Sequence, residues 1–209
     1  MRKIIFFLVV LSACATHHTP PSITSGHKVM ERKYYEVMGA QDSLRSTAAG
    51  TIGIWFRQRW VSPVFNQDLF NISVGGPKEI DSKSRAGIRI IPTGAFQSVA
   101  RAADQEELSE VTTAPGLAKK NVWQHLVLTI DYANKKQEFY LDGKRIDSTG
   151  KTIFTKTMTA NSPSQRVTIG SEDDGSSAFF FGDLGAAFVE KRILTEAEIQ
   201  KVMNETRPK

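Results

Sequence analysis

Residues 121–148 constrain the fold more than any other part of the chain. They contain two runs rich in β-branched and aromatic residues, 123–132 and 137–141, joined by a short polar connector. Alternate positions of the first run form one apolar face: Leu126, Leu128, Ile130 and Tyr132. The opposite face carries both apolar and polar side chains, such as Val127 and Thr129. This period of two predicts a β-hairpin whose first strand lies inside a sheet and not at its edge.

Other segments with the alternation of a β-strand are distributed along the chain. They are residues 29–37, 51–57, 69–74, 86–91, 95–100, 166–170 and 179–189. Turns containing glycine or proline separate several of them. In the last segment we expect Leu184, Ala186 and Phe188 to share one face. The spacing predicts an antiparallel β-sandwich of roughly eight to ten strands.

Two segments depart from the strand pattern. Across residues 101–120 the apolar alternation disappears, so we expect a solvated loop there, with a turn of helix as the alternative. Near the C-terminus, Thr195 and Glu198 have the spacing of a capping box, and Leu194 can pack as a hydrophobic staple. We therefore predict one short helix, from residue 196 to about residue 204, packed on the sandwich.

The N-terminus resembles an export signal. Arg2 and Lys3 precede an apolar run at residues 4–10, which is too short to span a bilayer as a permanent anchor. The following Leu-Ser-Ala-Cys resembles a bacterial lipobox, in which Cys14 is acylated and becomes the first residue of the mature protein. Ordinary cleavage after Ala15, which releases a soluble protein, is the alternative. We predict lipid anchoring at a bacterial outer membrane or cell surface.

Cysteine content and charge limit the fold and the partners. Cys14 is the only cysteine, so an internal disulfide is impossible and the fold must depend on its apolar core. The formal charge of +5 includes two cations of the signal segment, and the rest of the surplus is scattered, which argues against a nucleic-acid partner. We divide the chain into a signal peptide (1–13), a flexible tether (14–27) and one domain (28–209).

Several motifs resemble those of the laminin-G-like, concanavalin A-like jelly-roll domains. The hairpin supplies a Trp-x-His strand and a Tyr-Leu-Asp-Gly-Lys turn, and the other matching segments are residues 51–56, 167–170, 181–185 and 192–199. The resemblance implies an all-β, concanavalin A-like jelly-roll sandwich of two antiparallel sheets with a short C-terminal helix. Relatives of this kind include glycan binders, adhesion modules and glycosidases. The fold alone therefore does not determine the function.

The sequence argues against an enzyme. A glycosidase of this fold requires carboxylates in a pattern such as Glu-x-Asp-x-x-Glu, and the nearest segment, residues 79–81, lacks the second glutamate. His125 is the only histidine of the domain and there is no Gly-x-Ser-x-Gly motif, so Ser-His-Asp hydrolysis has no support either. We interpret His125 as part of the framework, hydrogen-bonded to a backbone carbonyl.

Binding without catalysis is the function that we predict, to a carbohydrate or to an envelope or matrix protein. Exposed aromatic rings stack on sugar faces. The candidate rings are Trp60, Phe180 and Tyr140, and Trp60 is the one most readily exposed because it stands at a strand end. A divergent carbohydrate-active enzyme and a structural envelope protein are the alternatives.

Calcium is the one cofactor that the sequence suggests. Glu172, Asp173 and Asp174 precede a glycine turn, and clustered carboxylates supply the hard oxygen ligands that Ca²⁺ prefers. In pentraxin-like and laminin-like relatives, calcium sits at a loop edge of the sandwich. A solvated acidic turn is the alternative interpretation of the same residues.

Overall fold

A computed structural model describes residues 35–36, 48–62, 64–74, 85–101, 107–154, 165–171 and 178–208. The predicted lipid attachment at Cys14, the predicted tether and the acidic residues Glu172, Asp173 and Asp174 lie outside these residues. The described chain is built mostly of strands, which form two antiparallel sheets around a shared core. The predicted jelly-roll sandwich is confirmed.

Twelve strands and one helix are described. In chain order they are β1 (Tyr35–Glu36), β2 (Ala49–Gln58), β3 (Gln67–Val74), β4 (Arg85–Ile90), β5 (Phe96–Arg101), β6 (Ser109–Thr113), β7 (Trp123–Asp131), β8 (Lys136–Leu141), β9 (Lys144–Ile146), β10 (Ser148–Lys151), β11 (Gln165–Ile169), β12 (Gly182–Glu190) and α1 (Glu196–Thr206). One sheet has the order β1-β11-β3-β4-β5-β6-β10, and the other has the order β12-β2-β7-β8-β9. Strands β3 to β6 form an antiparallel meander.

The central hairpin has the structure that its alternation predicts. Strand β7 lies between β2 and β8, so it is an interior strand, and its apolar face is fully within the core. Asp142 and Gly143, which join β8 to β9, have φ angles of 50° and 78°. Asp142 also binds β7, because its Oδ1 accepts a hydrogen bond of 2.8 Å from the backbone N–H of His125. The turn and the strand therefore stabilise each other.

The core between the sheets consists mainly of isoleucine and phenylalanine side chains. Phe56 of one sheet meets Phe96 of the other with ring centroids 5.8 Å apart and edge to face. A buried polar contact also joins the two sheets, where Ser98 Oγ donates a hydrogen bond of 2.8 Å to Gln137 Oε1. The largest fully buried rings are Phe56, Phe70, Phe96, Phe139 and Phe154. With no disulfide available, this packing carries the stability of the sandwich.

The prediction of a solvated loop across residues 101–120 is wrong for residues 109–113, which form β6. Two of the three core-facing positions of this strand are Ser109 and Thr113, and only Val111 is apolar. Their hydroxyls accept backbone hydrogen bonds of 2.9 Å, Ser109 from Ile153 and Thr113 from Phe96. Buried hydroxyls in place of apolar side chains removed the signal on which the prediction depended.

Strand β12 also departs from its predicted pattern. The register with β2 shifts between Leu184 and Ala187, as in a β-bulge. As a result Leu184, Ala187 and Val189 pack against the main core, whereas Phe188 lies on the opposite side of the sheet. The expectation that Leu184, Ala186 and Phe188 share a face is wrong, because a bulge interrupts the period of two.

Helix α1 begins where the capping box predicts. The Thr195 hydroxyl accepts from the Glu198 backbone N–H, and the Glu198 carboxylate accepts from the Thr195 backbone N–H. Leu194 and Ile199 are buried with Val127 and Tyr140, so the helix covers the outer face of the five-stranded sheet. The helical part of the described chain offers no segment with the length and apolarity that crossing a membrane requires.

Gly53 of β2 allows Phe188 and Val127 to pack on the outer face of this sheet. A Cβ at position 53 would lie 2.3 Å from Phe188 Cε1 and 2.9 Å from Val127 Cγ2. We expect Gly53→Ala to lower the free energy of unfolding by about 1–3 kcal/mol in urea denaturation, through overpacking. In a Phe188→Leu background the same substitution should cost less. Strictly additive losses would contradict this explanation.

Candidate functional site

The exposed apolar side chains of the described residues concentrate at one end of the sandwich. Val61, Val64 and Phe65 follow β2 and are 41%, 76% and 42% exposed. We call these three residues the apolar tip. The fourth large apolar side chain that remains exposed is Val122, which directly precedes β7 and lies beside the end of β2. Contiguous exposed apolar residues on a soluble domain indicate a contact surface.

An aromatic cluster supports the apolar tip. The Trp60 ring lies 5.3 Å from Phe65 and 5.0 Å from Phe181, centroid to centroid. The buried Gln67 side chain connects the two chain segments of this cluster. Its Nε2 donates to the Trp60 carbonyl at 3.2 Å, and its Oε1 accepts from the Phe181 N–H at 3.0 Å. The backbone N–H of Arg59 donates to the Phe181 carbonyl at 2.9 Å. Trp60 is thus a positioned, half-buried ring.

Two arginines and one aspartate border the aromatic cluster. The Nε atoms of Arg57 and Arg59 each lie 2.7 Å from the same oxygen, Asp183 Oδ2. Partial burial alone would raise the pKa of Asp183, but the hydrogen bonds and charges of Arg59 and Arg57 outweigh it and lower that pKa. The Arg57 guanidinium also lies 5.0 Å from the centroid of the Trp123 ring. The group carries a net positive charge.

Beneath this surface lies a buried polar network that brackets residues 172–177. Asn71 Nδ2 donates to Asp68 Oδ2 at 2.8 Å and to the Ser171 carbonyl at 2.9 Å. The Asp68 N–H donates to the Ala178 carbonyl at 2.7 Å. Ser171 and Ala178, which flank the acidic segment, are therefore fixed at the same end of the sandwich as Trp60. Within the described residues, no group of three or more His, Cys, Asp or Glu side chains could hold a metal ion.

A family model described as the concanavalin A-like lectin/glucanases superfamily matches residues 31–200. The chain belongs to this superfamily. No curated protein matches the chain in sequence. The match covers all of the described strands and the first five residues of α1, so the predicted family resemblance is confirmed.

Solved structures of the superfamily share the fold. The CBM40 of the Ruminococcus gnavus IT-sialidase aligns with a TM-score of 0.64 at 19% identity over 86% of this chain and 96% of that one, and it has been solved bound to α2,3 sialyllactose. The SAP-like pentraxin of Limulus polyphemus aligns with a TM-score of 0.58 at 12% identity, over 85% of this chain and 78% of that one. Such identities establish the architecture and not the ligand.

Of the predicted ligand-binding rings, Trp60 lies at the surface cluster and the other two do not. Phe180 is 3% exposed and packs in the core with its ring 6.0 Å from Phe56. Tyr140 is 7% exposed beneath α1 with Ile199. Their burial leaves neither ring face open to a sugar, so ligand binding by Phe180 and Tyr140 does not fit the structure. Phe181, the neighbour of Phe180, takes the surface position.

Sequence reasoning missed the partners of Trp60. Arg57 lies in β2 and Arg59 directly follows its last residue, and this spacing of two could have placed them on one face beside Trp60. Asp183 and Phe181 are more than 120 residues away, and only the pairing of β12 with β2 brings them to the same place. No local pattern predicts that pairing.

His125 is framework, as expected, but its hydrogen bonding differs from the prediction. Neither ring nitrogen has a hydrogen-bond partner among the described residues, and no backbone carbonyl accepts from it. The fully buried ring lies between Trp55, at 5.0 Å, and Phe188, at 6.1 Å. Burial lowers the pKa of His125 to about 4, so the ring is neutral at neutral pH.

This burial makes stability depend on pH. The pKa of His125 is about 4 in the folded chain and 6.5 ordinarily, so between these values the unfolded chain binds more protons. The free energy of unfolding is therefore unaffected by His125 above pH 6.5 and falls as the pH drops toward 4, by roughly 3 kcal/mol in total. We expect His125→Leu to remove this part of the pH dependence in urea denaturation. If the free energies of unfolding of the two proteins changed in parallel with pH, burial of neutral His125 would not be the cause.

Proposed function

We propose that this domain is a non-catalytic carbohydrate-binding module, and that the ligand lies against the Trp60 cluster and the adjacent arginines. The observation that carries the proposal is the juxtaposition of a half-buried ring cluster with Arg59 and Asp183 at one exposed end of the sandwich. Sugar recognition uses this combination, because C–H faces stack on aromatic rings while hydroxyls bind charged and amide groups.

The arginines are suited to this role because their geometry is already set. Arg57 and Arg59 use Nε to bind Asp183, and their terminal nitrogens make no hydrogen bond within the described part of the chain. A guanidinium that is held in place loses little conformational freedom when it binds hydroxyl or carboxylate oxygens. The sialyllactose complex of a structural neighbour supports a glycan as the ligand class.

Three further parts of the proposal come from the sequence. We propose that acylation at Cys14 and a tether through residue 27 hold the module at a bacterial envelope. We propose that the acidic turn at residues 172–174 binds calcium next to the ligand, since both flanks of that turn are fixed beside Asp68. The missing carboxylate pattern supports binding without bond cleavage.

A glycan array followed by calorimetric titration tests the proposal. We expect the purified protein to bind a subset of glycans without releasing product, and Trp60→Ala to weaken that binding by about tenfold or more through loss of stacking. Trp60→Phe is the matched control and should retain most of the affinity. Repeating the titration in the presence of calcium and of a chelator tests whether calcium contributes to glycan binding.

Three results would count against this function. A blank array in both calcium and chelator would exclude glycan binding, and product release would indicate an enzyme. Unchanged affinity in a folded Trp60→Ala protein would place the ligand elsewhere. A blank array together with cross-linking to one envelope protein would favour a protein partner, which the exposed Val64 could also contact.

A further inference from the structure

The direction of β1 determines where the N-terminal part of the chain joins the sandwich. Strand β1 is antiparallel to β11, and its first residue, Tyr35, pairs with Ile169. Gly170 directly follows β11. Its backbone N–H donates to the Leu69 carbonyl, and its carbonyl accepts from the Phe180 N–H. Phe180 precedes Phe181 of the aromatic cluster. The chain therefore enters β1 at the end of the sandwich that carries the apolar tip.

The length of the preceding segment lets that end approach whatever holds the N-terminus. About 20 residues separate Cys14 from Tyr35, and fully extended they span about 70 Å at most. Any conformation short of full extension brings the two ends closer together than that. An attachment near Cys14 would therefore keep the apolar tip within about 70 Å of the surface of attachment.

The tip has the chemistry of a membrane-interface contact. Val64 is the most exposed large apolar residue of the described chain, and Val61 and Phe65 extend its surface. The Trp60 ring lies directly behind Phe65, and Arg59, 55% exposed, lies at the border. Aromatic and aliphatic side chains bordered by cations are typical of segments that rest in the headgroup region of a bilayer.

We propose that the apolar tip inserts into the interface of a phospholipid bilayer, with Val64 and Phe65 among the acyl-chain ends and Trp60 at headgroup depth. Apolar transfer is the driving force, because Asp183 neutralises one of the two neighbouring arginines. Binding therefore needs no anionic lipid. The ligand surface beside Trp60 then faces glycans that are displayed at the membrane.

Vesicle sedimentation tests the insertion without any sugar. The chain from Ala15 onward keeps every described strand and α1 and lacks both Cys14 and the apolar signal segment. We expect it to bind phosphatidylcholine vesicles, with little change when phosphatidylglycerol or salt is added. The double variant Val64→Ser, Phe65→Ser should lower the partition coefficient about tenfold or more.

Ala133→Ser is the control, because Ala133 is exposed in the turn between β7 and β8 at the opposite end of the sandwich, beside the start of β2, and its substitution should leave the partition coefficient unchanged. Equal losses in the control and the tip variant would overturn the proposal, as would absence of vesicle binding by the unmodified chain. A self-associated state that the tip variant dissolves would assign the surface to protein contact instead. Since the vesicles carry no glycan, failure here leaves the carbohydrate proposal standing.

Discussion

The pairing of β2 with both β7 and β12 is the interaction on which the rest of the structure depends. The inward residues of β2, which are Ile52, Ile54 and Phe56, are fully buried in the core between the sheets. Its outward positions hold Gly53, over which Phe188 packs, and Trp55, which α1 covers. The strand thus joins the sandwich core to the helical layer.

The candidate site is a continuation of the same strand. Beyond the last core residue of β2, the outward positions become Arg57 and Arg59, and the chain then turns at Trp60. Pairing with β12 brings Asp183 to the arginines, and the backbone of Phe181 binds Arg59 and Trp60. The site therefore rests on the paired strands β2 and β12 and is bordered by the exposed apolar tip.

Sequence reasoning succeeded where the determining contacts are local. The hairpin, its Asp142–Gly143 turn and the capping box of Thr195 and Glu198 depend on residues close in the chain, and they are where the patterns predict them. The resemblance to the superfamily then supplied the sandwich architecture. Strand β6 escaped detection because its buried positions are hydroxyls that bind distant backbone groups.

The candidate site was predictable only in part for the same reason. Trp60 could be singled out because it follows a strand end. The choice between Phe180 and Phe181 needed the position at which β12 begins to pair, and the partner of the arginines needed the register between strands that are far apart in sequence. Alternation predicts which residues share a face, but a bulge or a distant pairing changes which face meets the core.

Strand β1 has a consequence for the edge of the larger sheet. With only two residues, Tyr35 and Glu36, it occupies the outer side of β11, whose backbone groups would otherwise be free to pair with another chain. A fragment that begins after Glu36 would retain the core yet expose an unpaired strand. The segment that leads to the N-terminus therefore also guards the protein against edge-to-edge aggregation.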